Sequence, residues 1–290
     1  MLKEIADFLY SVPHIYATEY EEAFVPNFFT EWSSRNYWLP FTLVSIYMIF
    51  CFFGSKIMKS REPFGLTSLL ALWNASLSLF SFIGVIKTAP YLIAKLIDGY
   101  HNHNSISESY YDSICLPPAQ TWGAGPTGFW VMLFIYSKIP ELIDTVFIVL
   151  RKKPLIFLHW YHHVTVLLYC WDAFSGLTGS GLYFVAMNYT VHSMMYAYYC
   201  MQALKCVPKN FPTFLITLSQ ISQMFVGTFV CCSSWYFMYK GATCSITMTN
   251  LIAGAIMYGS YLYLFVAFAV KRFVVKPRSK KIEGEGKKLR

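Results

Sequence analysis

Seven long apolar stretches constrain this chain more than any other feature of its sequence. A helix needs about 20 mostly apolar residues to cross the hydrocarbon core of a bilayer. Only 13% of all residues are charged, about half the share usual in soluble domains. The sequence therefore predicts an all-α, polytopic membrane protein with seven transmembrane helices. The seven stretches are 37–55, 65–87, 127–150, 155–172, 181–204, 211–237 and 247–271.

The positions of lysine and arginine predict how the protein is oriented. Basic residues in short loops beside membrane helices tend to remain in the cytosol. If the seven stretches alternate in direction, the basic clusters within 56–61, 151–153 and 205–209 fall on the same side as the nine basic residues after position 270. We therefore predict a lumenal N-terminus and a cytosolic C-terminus. The predicted regions are a lumenal segment (1–36), a seven-helix membrane domain (37–273) and a basic tail (274–290).

The net charge of +8 does not indicate nucleic-acid binding. Most basic residues lie in short clusters between apolar stretches, and that pattern is typical of membrane orientation. A nucleic-acid site would instead need basic residues gathered on one face. We therefore expect no nucleic-acid partner and a lipid bilayer as the surrounding medium.

The cysteines predict one disulfide and no zinc site. The eight cysteines lack the C-x-x-C spacing of zinc ligands. Cys115 and Cys244 fall in predicted lumenal loops, and disulfides persist in the oxidising lumen. We expect these two cysteines to be bonded to each other, with Cys231 or Cys232 as the alternative partner of Cys115.

The third stretch contains charged residues, which are costly at membrane depth and commonly mark a cavity or a reaction pathway. Lys138, Glu141 and Asp144 recur at three-residue spacing and would share one face of a continuous helix. One interpretation is a Lys138–Glu141 pair that only neutralises itself. Since Asp144 would then still lack a partner, a functional site is the favoured interpretation.

Four of the seven histidines lie in the fourth and fifth stretches. His159, His162 and His163 share one side of a helix, and Asn188 and His192 are neighbours one turn apart. A lone buried histidine is commonly a hydrogen-bonded core residue. Four of them in two adjacent stretches instead predict a buried chamber in which imidazoles carry out chemistry.

The sixth stretch adds Gln220 and Gln223, which either bind substrate or form hydrogen bonds between helices. Tyr196 and Tyr199 either line the chamber or anchor the protein at the membrane interface. At 1.5 Å per residue, these residues, the histidines and Asp144 fall in the predicted cytosolic half of the membrane. The chamber is therefore expected to open toward the cytosol.

These motifs together resemble the ELO family of very-long-chain fatty acid elongases. The histidine motif alone also occurs in membrane di-iron enzymes, but those need far more histidine ligands than lie at membrane depth here. The resemblance extends over about 30–275. The local sequence around His159 resembles the branch that elongates saturated and monounsaturated long-chain acyl groups, but some polyunsaturated elongases share that sequence. The motifs are Lys138-x-x-Glu141-x-x-Asp144-Thr145, His159-x-x-His162-His163, His192-x-x-Met195-Tyr196-x-Tyr198-Tyr199 and Thr217-x-x-Gln220-x-x-Gln223.

The resemblance implies the condensing step of fatty acid elongation inside a seven-helix fold that encloses an acyl tunnel. A long-chain acyl-CoA and malonyl-CoA would give 3-ketoacyl-CoA, CO2 and CoA, with no cofactor. By similarity, His162 takes the acyl group, and His192 with Asn188 positions the malonyl unit. The resemblance also implies the ketoreductase, dehydratase and enoyl reductase of the same cycle as partners, and a homodimer. It further implies a supporting role, which is to orient the imidazoles or to set their tautomers, for Asp144, Glu141, His159 and His163.

The remaining predicted contacts are with substrate. Lys138 either binds substrate or balances the charges of Glu141 and Asp144, and the sequence leaves both open. The phosphates of CoA must stay at the cytosolic mouth, so basic residues there are candidate contacts, although each could serve orientation alone. These candidates are Arg151, Lys152, Lys153, Lys205, Lys209, Lys271, Arg272 and Lys276.

Two alternatives to the imidazole mechanism remain in the sequence. A cysteine nucleophile is disfavoured, because only Cys170 and Cys200 lie near the histidines. A non-catalytic seven-helix receptor or carrier could use the same chamber to bind a lipid.

The final residues, Lys287-Lys288-Leu289-Arg290, resemble a di-lysine retrieval signal and predict location in the endoplasmic reticulum. The alternative is a basic tail held near anionic lipid.

Overall fold

The apolar stretches fold as helices, because a helix satisfies its own backbone hydrogen bonds in a medium that offers none. A computed structural model describes residues 1–275, and every regular element in that range is helical. The α-helices are α1 (Leu2–Ser11), α2 (Glu19–Glu22), α3 (Asn27–Arg35), α4 (Trp38–Ile49), α5 (Ser55–Ile57), α6 (Thr67–His103), α7 (Ile106–Cys115), α8 (Pro118–Thr121), α9 (Gly125–Ser137), α10 (Ile143–Leu150), α11 (Phe157–Ser175), α12 (Gly181–Ala203), α13 (Thr213–Tyr239) and α14 (Met248–Ala269).

Four helical stretches of the described chain are long and apolar enough to cross a membrane by length and composition alone. They coincide with the first, second, sixth and seventh predicted stretches. The other three predicted stretches are helical too, but α9 and α10 are short, and α11 and α12 carry many polar and aromatic residues. The four are Trp38–Ser60, Thr67–His103, Thr213–Tyr239 and Met248–Phe273.

The third predicted stretch is not one continuous helix, so that expectation is wrong. α9 ends at Ser137, a 3-10 turn covers Pro140–Leu142, and α10 begins at Ile143. Proline has no backbone N–H to continue an α-helix, and its ring clashes with the preceding turn. Because the helix is interrupted here, Lys138 and Asp144 do not simply follow one another along one helix face.

The sequence predicts that the second stretch ends at 87, but α6 continues to His103. Its 37 residues correspond to a length of about 55 Å, well beyond the hydrocarbon core. Lys87 therefore lies inside a helix and not in a loop, and its side chain is only 5% exposed. The expected long loop that follows is largely helical, since α7 and α8 fold back from the end of α6.

Residues 1–36 fold against the other helices. α1 packs along α6, and α3 packs against α11. Glu21 anchors this segment: one carboxylate oxygen accepts a hydrogen bond from the Trp130 indole at 2.6 Å and lies 3.7 Å from Lys87 Nζ. The Lys87 ammonium in turn donates to the Pro13 carbonyl oxygen at 2.7 Å. The buried pair thus ties the N-terminal segment to α6 and α9.

Hydrogen bonds set the charge state of this anchor. Burial alone would raise the pKa of the Glu21 carboxyl. Hydrogen bonds from Thr18 and from Trp130, together with the nearby Lys87 charge, outweigh burial and hold that pKa below its ordinary value. Glu21 is therefore a carboxylate that the folded state stabilises in its charged form.

A disulfide closes the end of the helices that we predict to be lumenal. Cys115, at the end of α7, is bonded to Cys244 in the loop before α14, the pairing that the sequence favours. The Ser245 backbone N–H donates to the Cys115 carbonyl oxygen at 2.8 Å. The Gly179 N–H donates to the Ser245 carbonyl oxygen at 2.7 Å, and any Cβ at Gly179 would collide with the Leu116 carbonyl oxygen. Three loops are therefore held together at this end.

We predict that Glu21→Gln lowers the free energy of unfolding by about 3 kcal/mol, because it leaves the Lys87 ammonium buried without its counter-charge. Thermal unfolding in detergent measures the change. Glu19→Gln, at an exposed neighbouring position, is the control and should leave the midpoint unchanged.

The same pair predicts a pH dependence. Because the folded-state pKa of Glu21 is lowered, its stabilisation is present above the unfolded-state pKa and is lost as the pH falls through the lowered value. Wild-type protein should therefore lose more stability on acidification than Glu21→Gln does. Identical acid dependence in the two proteins would contradict the assigned role.

Candidate active site

A cavity of about 220 Å³ collects most of the residues that the sequence predicts to be functional. We call it the histidine chamber. Its wall is formed by α10 to α14, so side chains far apart in sequence meet around one space. Its polar lining includes Asp144, His159, His162, His163, Asn188, His192, Tyr196, Tyr199, Thr217, Gln220 and Gln223.

A second cavity of about 640 Å³ adjoins the chamber and carries positive charge. We call it the basic vestibule. Three of its lining residues, Arg151, Lys153 and Lys205, are basic, and all three are among the predicted phosphate contacts. The residues that line both cavities are Asp144, His159, Tyr196 and Tyr199.

Two chamber imidazoles, His162 and His163, have ring nitrogens without a hydrogen-bond partner in the described part of the chain, and the more exposed of the two is His162. Neither ring nitrogen hydrogen-bonds to any residue of the described chain, 1–275, and its backbone carbonyl oxygen accepts from the Tyr261 hydroxyl at 3.2 Å. The ring is held by aromatic neighbours, with ring centroids 5.3 Å from Tyr261 and 5.4 Å from His163. Packing thus fixes the ring and leaves its lone pair available.

His192 is held by a hydrogen-bonded chain that begins at Lys138. Since an ammonium group only donates, the Lys138 Nζ contact at 3.4 Å directs the Asn188 amide oxygen toward it. The Asn188 amide nitrogen then donates to Nε2 of His192 at 3.2 Å. His192 Nε2 is therefore an acceptor, and the proton of the neutral imidazole lies on Nδ1.

Lys138 and Glu141 lie behind the chamber and do not line it. They are 2% and 3% exposed, and Lys138 Nζ is 2.6 Å from a Glu141 carboxylate oxygen. The same ammonium lies 4.0 Å from the centre of the Phe134 ring. Of the two interpretations left open by the sequence, this geometry matches charge balance with Glu141 and not contact with a ligand in the cavity.

Asp144 is satisfied by neutral donors. One carboxylate oxygen accepts from the Trp73 indole at 2.6 Å, and the other accepts from the Tyr196 hydroxyl at 2.7 Å. The Tyr196 ring in turn packs edge-on against His192, with centroids 5.3 Å apart. Of these two partners of Asp144, Tyr196 is among the predicted residues, and Trp73 on α6 was missed.

Thr145, the residue after Asp144, contacts a different pair of helices, α4 and α11. Thr145 Oγ1 lies 2.9 Å from Nε2 of His159 and 2.8 Å from the hydroxyl oxygen of Tyr47. Tyr47, on α4, was also missed. An aromatic residue in an apolar stretch gives no sequence signal that separates a hydrogen-bonding role from packing.

The predicted phosphate contacts divide into two groups. Arg151, Lys153 and Lys205 line the vestibule, and Arg272 lines the chamber beside Phe268. Three others line neither cavity: Lys209 and Lys271 are exposed, and Lys152 donates to the carbonyl oxygens of Lys59 and Arg61. Lys276 and the di-lysine motif lie outside the described residues.

Comparisons with known proteins agree on one family. The ELO model, described as the GNS1/SUR4 family, matches residues 32–281. Very long chain fatty acid elongase 6 of Gallus gallus is 38% identical over 260 residues, covering 89% of this chain and 93% of its own. The Homo sapiens protein of that name is 37% identical over 262 residues, covering 90% and 94%. Very long chain fatty acid elongase 4 of Trypanosoma cruzi is 42% identical over 224 residues, covering 76% and 74%.

We predict that Lys138→Met destabilises the protein by about 3 kcal/mol, because it leaves the Glu141 carboxylate buried and unpaired. The double variant Lys138→Met/Glu141→Leu removes both charges and should recover most of the loss. Thermal unfolding of the three proteins measures this coupling. Equal destabilisation of the single and double variants would exclude charge balance as the role of Lys138.

Proposed function

The chain belongs to the ELO (GNS1/SUR4) family of fatty acid elongases, and from this we propose that it condenses a long-chain acyl-CoA with malonyl-CoA. The products are 3-ketoacyl-CoA, CO2 and free CoA. The observation that carries the proposal is His162, the more exposed of the two chamber imidazoles whose ring nitrogens have no hydrogen-bond partner within residues 1–275. A neutral imidazole in this state is a nucleophile toward a thioester.

The first half-reaction transfers the acyl group to His162. A ring nitrogen attacks the thioester carbonyl carbon, the carbon–sulfur bond breaks, and CoA leaves as a thiolate. The other ring nitrogen releases its proton, and the thiolate takes it up. The result is an acyl-imidazole and free CoA, so atoms and charge balance before malonyl-CoA takes part.

The second half-reaction forms the new carbon–carbon bond. Malonyl-CoA loses its free carboxylate as CO2, and the released electron pair forms an enolate. Because Asn188 holds the proton of His192 on Nδ1, that N–H can donate to the enolate oxygen. The enolate carbon attacks the acyl carbonyl, the bond to His162 breaks, and a proton from solvent restores the neutral imidazole.

The basic vestibule suits the CoA portion of the substrates. CoA carries several phosphate charges, and Arg151, Lys153 and Lys205 supply positive charge beside the chamber. The acyl chain would then pass the histidines into the apolar interior. No cofactor takes part in the proposed chemistry.

The proposed membrane arrangement has seven crossings, with α9–α10, α11 and α12 as the inner helices that enclose the chamber and an acyl tunnel. Residues 1–36 lie on the lumenal side, 37–273 form the membrane domain, and the tail after 273 is cytosolic. Malonyl-CoA then reaches the vestibule from the cytosol. We place the enzyme in the endoplasmic reticulum membrane, beside the other enzymes of the elongation cycle.

We predict that His162→Ala abolishes condensation while the protein still folds, since the ring makes no hydrogen bond to any residue that the structure describes. Turnover of radiolabelled malonyl-CoA by purified protein measures activity. Intact mass spectrometry of wild-type protein with acyl-CoA alone should show an acyl adduct, with CoA released. Near-normal activity of the variant would end the acyl-imidazole mechanism, and inactive wild-type protein would favour a lipid carrier.

We predict that Arg151→Gln and Lys205→Gln each raise KM for acyl-CoA by about 10-fold, because each removes a charge-assisted contact with phosphate. Little change in kcat is expected, since the phosphates lie far from the reacting carbon. Lys56→Gln, an exposed position that lines neither cavity, is the matched control. Unchanged KM in both vestibule variants would leave orientation as the only role of these residues.

A further inference from the structure

A chain of three hydrogen-bonded side chains joins α4, α10 and α11 and ends in the histidine chamber. Its members are Tyr47, Thr145 and His159, and the two contacts are 2.8 Å and 2.9 Å long. Tyr47 is 5% exposed, and Thr145 is 0% exposed. Neither hydroxyl group can therefore rely on bulk water for a partner.

Proton accounting favours one arrangement of this chain. The Thr145 hydroxyl carries a single proton, which it donates either to His159 or to Tyr47. If it donates to Tyr47, the acceptor left for the Tyr47 proton in the described part of the chain is the sulfur of Cys51, one helical turn further on, and a thiol sulfur is a weak acceptor. If Tyr47 and His159 both donate to Thr145, the Thr145 proton has no acceptor there. An unused buried donor costs about 1–3 kcal/mol.

The favoured arrangement gives every hydroxyl proton an oxygen or nitrogen acceptor. Tyr47 donates to Thr145, and Thr145 donates to Nε2 of His159. Nε2 is then unprotonated, so the neutral ring carries its proton on Nδ1. That nitrogen has no hydrogen-bond partner in the described part of the chain, and His159 lines both the chamber and the vestibule.

The carboxylate of Asp144 does not accept the Nδ1–H of His159. The oxygens of Asp144 accept from the Trp73 indole and the Tyr196 hydroxyl, and no hydrogen bond joins Asp144 to His159 within the described residues. His159 is therefore not paired with a carboxylate that would draw its proton. His159 and His162 are three residues apart on α11, which makes them neighbours on the helix surface.

We infer that Tyr47 and Thr145 are positioning residues that hold His159 with its proton on Nδ1, and that this N–H donates to the thioester carbonyl oxygen during attack by His162. The inference rests on the proposed function. As His162 adds to the carbonyl carbon, the oxygen gains negative charge, and a fixed donor stabilises the charge. The N–H bond of His159 stays intact throughout, so the atoms of the reaction balance as before.

The first test compares steady-state condensation by full-length variants. His159→Ala removes the donor and should lower kcat by about 100-fold. Thr145→Val keeps the shape of the side chain but frees the ring, and should lower kcat by about 10-fold. KM for acyl-CoA should change little in both, because the contact strengthens only in the transition state.

Conservative variants separate positioning from packing. Thr145→Ser keeps the hydroxyl and should restore kcat to within about 3-fold of wild type, and Tyr47→Phe should fall between wild type and Thr145→Val. Tyr263→Phe, at an exposed position on α14, is the matched control for loss of a tyrosine hydroxyl. Thermal midpoints of all variants report whether folding is intact.

The second test reads the tautomer directly and needs no activity. Nitrogen NMR of protein labelled with ¹⁵N-histidine distinguishes protonated from unprotonated ring nitrogens, and His159→Ala identifies the resonances of His159. Wild type should show a protonated Nδ1 and an unprotonated Nε2. Thr145→Val should show a mixture of the two tautomers.

The outcomes separate this inference from the proposed function. Inactive wild-type protein would overturn the proposed function and the donor role with it, while the NMR result would still decide whether Tyr47 and Thr145 set the tautomer. Active wild-type protein with equal kcat in Thr145→Val and Thr145→Ser would overturn the inference alone. A wild-type His159 protonated on Nε2 would do the same.

Discussion

Within an apolar bilayer, every polar group must find its hydrogen-bond partner inside the protein, and this requirement explains the arrangement around the chamber. The Asp144 carboxylate is satisfied by α6 and α12, and the Thr145 hydroxyl by α4 and α11. These two adjacent residues therefore connect four helices to the first turn of α10. The residues that position the imidazoles also hold the helices together, so the site and the fold depend on the same contacts.

The helix break at Pro140 separates the Lys138–Glu141 pair, which lies behind the chamber, from Asp144, which lines it. On an uninterrupted helix, Lys138 and Asp144 would lie about 120° apart around the helix axis, with Glu141 between them. The 3-10 turn lets Lys138 pair with Glu141 behind the chamber while Asp144 lines it. The charged pair therefore lies outside the cavity that holds the imidazoles.

Much of this could be predicted from the sequence, because hydrophobic stretches and polar spacing are local signals. All seven stretches are helical, and the residues predicted from the histidine motif meet in one cavity. The extension of α6 was missed because Lys95 and Asp98 lower the hydropathy of a segment that stays helical. Trp73 and Tyr47 were missed because a hydrogen bond between distant helices leaves no periodic pattern. The positions of Lys209 and Lys271 outside the cavities likewise depend on how helices pack.

The chamber and the vestibule share four wall residues, and shared walls have a thermodynamic consequence. If a ligand in the vestibule displaces Tyr196 or Tyr199, the free energy of that displacement enters the binding equilibrium in the chamber. Linkage requires the effect to be reciprocal: an occupant of the chamber must change affinity in the vestibule by the same factor. Two ligands that never touch would in this way sense one another through a single layer of side chains.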